Sequence, residues 1–116
     1  MSYSLWAFKG PIPASEGDFV ERLARFNDGD ETAFEASPDV AAFYEALMKK
    51  HPPLEDLPED KVERSVWSMT PDASDRLVSI DCVWPEAERM AKDVGQLARK
   101  YGLALMDPQS GQIVRP

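Results

Sequence analysis

Between Arg76 and Tyr101 the chain carries a pattern that leaves little freedom for the rest. Leu77-Val78-Ser79-Ile80-Asp81-Cys82-Val83-Trp84 is rich in β-branched and aromatic residues, which favour a pleated backbone. Alternation puts Val78, Ile80, Cys82 and Trp84 on one face and Leu77, Ser79, Asp81 and Val83 on the other. Pro85 ends the ladder and suits the first turn of a helix. Ala87, Met90, Ala91, Val94, Leu97, Ala98 and Tyr101 then recur at spacings of three and four, a core-facing stripe. Glu86 and Glu88 suit the positive end of this helix, Arg99 and Lys100 its negative end, and Gly102 its termination. Leu103 to Met106 resumes as a strand, so the segment reads as a β-α-β unit. Ala87, Ala91 and Gly95 form one row of small residues, read as a surface for close packing.

The remaining elements arrange themselves around that unit. Tyr3 to Phe8 reads as a strand with large apolar groups on both sides. Ser15 caps a helix with Asp18 three residues on, and Phe19, Val20, Leu23 and Phe26 mark its apolar stripe. Ser37-Pro38-Asp39 starts a second helix whose buried face is Val40, Phe43, Tyr44, Leu47 and Met48, and Pro52-Pro53 stops it. Leu54 to Glu63 reads as an exposed acidic loop. Arg64 to Thr70 follows as a strand with Trp67 and Met69 on one face, and Pro71 to Asp75 as a hairpin turn. After the turn Asp107 to Gly111, Gln112 to Arg115 suits an edge strand. The order predicts a single α+β domain over residues 1–116, a ferredoxin-like β-α-(α)-β-β-α-β sandwich. Its sheet is expected to be mostly antiparallel with the helices on one face, the alternative being a second helix packed across the sheet's end.

Charge then narrows the function. Of the net −8, all lies before Arg64: residues 1–63 hold 14 acids and 6 bases, and residues 64–116 hold 7 of each. Such a split disfavours binding to nucleic-acid phosphates, which requires clustered Lys and Arg. It predicts instead an acidic surface that steers toward a basic protein partner, centred on Asp28, Asp30, Glu31, Glu55, Asp56, Glu59 and Asp60. No apolar run is long enough to span a bilayer and the amino terminus lacks a signal-peptide layout, so no membrane partner and a cytoplasmic location are expected. The lone Cys82 has no partner for a disulfide and sits on the apolar strand face, where it reads as an inert hydrophobe.

The common catalytic patterns are not found. One His and one Cys do not make a zinc motif, and no Gly-rich phosphate loop or nucleophile elbow is present, so neither metal nor cofactor is expected. His51, after Lys49 and Lys50, reads as a surface residue at a helix end. Among the carboxylates Asp81 stands out, because Asp is disfavoured in strands. With Ser79, Trp67, Asp72 and Asp75 it defines an alternative ligand site on the open sheet face. A third possibility is a homodimer whose sheet faces pack through Leu77 and Val83.

A resemblance accompanies these readings. Met-Ser-Tyr-Ser-Leu at the start, Ser37-Pro38 with Phe43-Tyr44-Glu45-Ala46-Leu47, the Val83-Trp84 before the last long helix, and Gly102-Leu103-Ala104-Leu105-Met106-Asp107-Pro108-Gln109 together resemble a group of small acidic bacterial proteins. Some proteins of this general type are thought of as immunity- or antitoxin-like, which implies a protein partner. The resemblance brings no catalytic residues with it.

Overall fold

The computed structural model describes residues 2–116. Its middle strand is β1 (Ser2–Phe8), whose large apolar side chains point both ways. The sheet has five strands in the order β2-β3-β1-β4-β5, with β2 at Trp67–Ala73, β3 at Leu77–Val83, β4 at Ala104–Asp107 and β5 at Gln112–Val114. Each neighbouring pair is antiparallel. Because β3 and β4 both run against β1, they run with each other. The link between them is α4 (Ala87–Lys100). The longer link from β1 to β2 carries α1 (Glu16–Asn27), α2 (Pro38–Lys50) and the short α3 (Glu59–Val62). The fold class is α+β.

Local chemistry sets the helix ends. The Asp18 N–H donates to the Ser15 hydroxyl at 3.2 Å, and the Asp18 carboxylate in turn accepts from the Ala14 N–H at 3.0 Å. Ser37 caps α2 in the same way, through the Asp39 N–H at 3.1 Å, with Pro38 in the first turn. Gly102 leaves α4 with φ of 70°, a left-handed value that L side chains resist. The chain there turns back beneath α4 into β4.

Two apolar layers flank the sheet. On the first face Leu5, Val78, Ile80 and Cys82 meet Val40, Phe43 and Leu47 of α2 and Met90, Val94 and Ala98 of α4. On the second face Phe8, Leu77, Ala104 and Met106 meet Phe19 of α1, with Ala33 and Phe34. There the rings of Phe8, Phe19 and Phe34 lie 5.3 to 5.8 Å apart, centre to centre. The expected placement of the helices on one face is therefore corrected. Phe8 and Met106 make the second face too apolar to leave wet, and α1 crosses over to bury it.

Other corrections concern β2 and its surroundings. The strand begins at Trp67 rather than Arg64 and continues through Pro71, which an edge strand tolerates. Register shifts follow Trp67 and Met69. Trp67 faces Cys82 and is buried, whereas Met69 faces Asp81 and is 62% exposed, so the two lie on opposite faces. Trp84 leaves the strand in a 3-10 turn, 42% exposed, with its ring 5.7 Å from that of Tyr3.

Candidate functional site

The acidic segment after α2 is an ordered connector rather than a loop. Pro53 precedes a 3-10 turn at Leu54–Asp56, and Pro58 precedes α3. The indole N–H of Trp67 donates to the carbonyls of His51 and Pro52, both at 3.1 Å, which pins the start of the segment. The Leu54 N–H donates to the Thr70 hydroxyl at 3.0 Å, tying the turn to β2. With its backbone so held, the connector presents Glu55, Asp56, Glu59 and Asp60 to solvent. None of the four is in an ion pair with a described residue, while Asp18, Asp30, Asp39 and Asp93 all are.

Beside the connector lies a broad, open depression of about 720 Å³. Tyr44, Met48, Pro52 and Pro53 form its apolar floor, and Glu45, Asp56 and Lys49 stand among them. Sequence periodicity places Tyr44 and Met48 on the buried face of the second helix. The structure leaves both only half-buried, at the margin of the core and lining this depression. Tyr44 also borders a second depression, of about 380 Å³, with Pro71, Asp72 and Asp75 on its far side. A tyrosine thus sits between two acid-bordered hollows, an arrangement that residue spacing along one helix does not reveal.

The other predicted acids are placed differently. Asp30 is committed to structure: its carboxylate accepts from the Thr32 hydroxyl and N–H and lies 3.8 Å from Arg25. Those Thr32 hydrogen bonds hold its carboxyl below the usual carboxylate range. Asp28 terminates α1 through its backbone N–H and Glu31 opens a 3-10 turn, both with exposed side chains. Glu31 is joined through its carbonyl to Arg76, at 2.8 Å.

The alternative ligand site is not assembled. Asp81 is half-buried and accepts from the Ser4 hydroxyl at 2.6 Å, its cross-strand neighbour. Asp72 lies opposite Ser79, and both border a small hollow of about 110 Å³ beside Phe26. Trp67 lies on the first face, beneath the helices, and Asp75 is exposed in the hairpin 3.8 Å from Arg76. Leu77, expected at a homodimer interface, is buried beneath α1 instead.

Two single-copy residues also find their places. His51 ends α2 as expected but is only 7% exposed, with its Nε2 3.0 Å from Asp93 of α4. The surface reading is corrected: α2 and α4 pack side by side, and the ring fills their junction against Trp67. Burial works against the Asp93 carboxylate, but the His51 hydrogen bond and the Lys50 ammonium at 3.5 Å outweigh it and hold the carboxyl below its ordinary value. Cys82 is buried, and desolvation aided by the Asp81 charge pushes its thiol up to about 12. A thiol so protonated is a poor nucleophile.

Among the described residues no group of three His, Cys, Asp or Glu side chains is placed to hold a metal ion, and no helix is long and apolar enough to cross a membrane. No family model, curated protein or solved structure matches this chain.

Proposed function

We propose that this protein is an interaction module that binds a basic protein partner through the α2–connector surface, for instance as an immunity-type inhibitor. One observation carries the reading. Four exposed carboxylates that form no ion pair with a described residue stand on an ordered connector beside an apolar floor of Tyr44, Met48, Pro52 and Pro53. Tyr and Met are enriched where proteins meet, and unpaired charge at the margin speeds encounter and selects the sign of the partner. The openness of the depression suits a protruding side chain of a partner better than an enclosed small molecule. We also infer a ferredoxin-like core with β5 added at its edge. The β-α-β-β-α-β order and the neighbours β2-β3-β1-β4 support that inference.

The test is charge reversal. The protein, immobilised, is offered a bacterial lysate at low salt, and any captured basic protein is taken into stopped-flow kinetics. Changing Glu55, Asp56, Glu59 and Asp60 to Lys is expected to slow association by about tenfold or more and to flatten its salt dependence. Tyr44→Ala is expected to act on dissociation instead. Binding that ignores both salt and the reversals assigns the connector to solubility alone.

A further inference from the structure

α4 has two sides, and the one away from α2 does not close on the sheet. Between α4 and the β4–β5 edge lies a groove of about 360 Å³, within the range of small-ligand sites. Its floor is Leu5, Leu103 and Leu105, and Val114 forms its outer wall. Its roof is Ala91 and Gly95, from the row of small residues, together with Ala98 of the core-facing stripe. The row looks in sequence like a surface for close helix packing, but a Cβ on Gly95 would meet nothing within 4 Å. Nor does Gly95 adopt a positive φ. Neither packing nor backbone conformation requires glycine there, and glycine costs a helix stability relative to alanine. A Cβ there would stand in the open space of the groove.

The polar groups around the groove have one predominant sign. Lys92, Gln96 and Arg99 follow one another along α4 at spacings of four and three, on one flank of the groove. Arg115 comes from the opposite wall. The three cations are exposed, and none is in an ion pair with a described residue, in a chain of net charge −8. Register locates them further. Val114 faces Leu105, so Arg115 follows toward Ala104, the end of β4 nearest the last turn of α4 and Arg99. Toward the other end of β4 stands Asp107, occupied by the Tyr3 hydroxyl at 3.1 Å and the Gln109 N–H at 3.0 Å. The groove thus has Arg99 and Arg115 at one end, an apolar length, and Asp107 at the other end with Lys92 on the α4 flank beside it.

We infer that this groove binds a single-chain organic carboxylate, its head group held by Arg99 and Arg115 and its apolar tail lying under Ala91 and Gly95. Arginine matches a carboxylate in both charge and fork geometry, and two arginines at one end against a single Lys92 beside Asp107 at the other set the direction of the tail. This inference is independent of the partner surface at the connector.

The full chain, labelled with nitrogen-15, is titrated with decanoate and, in parallel, with 1-decanol. Saturable shift changes concentrated at Ala91, Gly95, Ala98, Leu103 and Val114 are expected, with decanol weaker by about tenfold or more. Replacing Arg99 and Arg115 together by Ala is expected to weaken decanoate by a similar factor and to leave decanol unchanged. Gly95→Leu is expected to abolish binding of both while the melting temperature holds or rises, since leucine favours the helix. Three results overturn the inference: no saturable shifts in the groove at millimolar decanoate, equal affinity for decanol and decanoate, or undiminished binding to a folded Gly95→Leu chain.

Discussion

The two faces of the sheet are cut from the same alternating strands and are closed in different ways. On the first, two long helices lie side by side over aliphatic residues of β1 and β3, and a buried His51–Asp93 contact joins the helices to each other. On the second, one helix and an aromatic cluster cover only the end holding Phe8, Leu77 and Met106. Ser4, Asp81 and Met69 at the other end stay half-buried or exposed. The difference teaches that the strands decide which residues share a face, while the connections decide how much of that face is kept dry.

Paired truncations put this comparison at greatest risk. Phe43→Ala, in the middle of the first layer, should cost about 3–5 kcal/mol, the range for a buried aromatic. Phe26→Ala, half-buried where α1 ends over the second face, should cost about 1–2 kcal/mol, because less surface returns to water. Equal shifts in the urea midpoint for the two variants would abolish the distinction between the helix-covered middle of the first face and the partly covered second face.

The junction of α2 and α4 offers a sharper and somewhat smaller test. Asp93→Ala leaves the buried His51 ring without its partner and should cost about 1–3 kcal/mol near neutral pH. The Asp93 carboxyl titrates lower in the folded chain than in the unfolded one. Its contribution is therefore fully present above the ordinary carboxylate pKa and is lost as pH falls through the depressed folded value. Denaturation curves of the parent and Asp93→Ala chains should converge as the pH drops below about 4, and curves that stay parallel would show that the ionised Asp93 carboxylate adds nothing to stability.

The smallest effect is expected on the open end of the second face. Asp81→Asn keeps a group that can accept from the Ser4 hydroxyl, and it should change stability by less than about 1 kcal/mol. A loss several times larger would mean that this end is as dry as the first face.

Much of the scaffold is legible in the sequence. The β3–α4–β4 unit, the Ser15 and Ser37 caps and the separation of Val78, Ile80 and Cys82 from Ser79 and Asp81 follow from periodicity and capping chemistry, which act over a few residues. The exposed carboxylates of the connector were legible too, since charge beside proline rarely goes inside. The bulges of β2 were not, because a strand's register belongs to the pair: it was the match to Cys82 and Asp81 that turned Trp67 inward and Met69 outward.

What the sequence determined by itself, then, is the set of elements and the faces they present, because dihedral preference and hydrophobic period are properties of short stretches of chain. Which face each helix covers was decided only in the tertiary structure. Phe8 and Met106 are distant in sequence and meet only when β4 pairs with β1, and their joint apolar surface is what draws α1 across the sheet. Tyr44 and Met48 follow the same logic in reverse. Their spacing matches that of buried residues, yet Val40, Phe43 and Leu47 already fill the contact of α2 with the sheet, and the two side chains are left at the margin. The groove at Gly95 has the same origin. Only the distance between α4 and the β4–β5 edge, a quantity no single segment contains, determines whether a row of small residues is packed or empty.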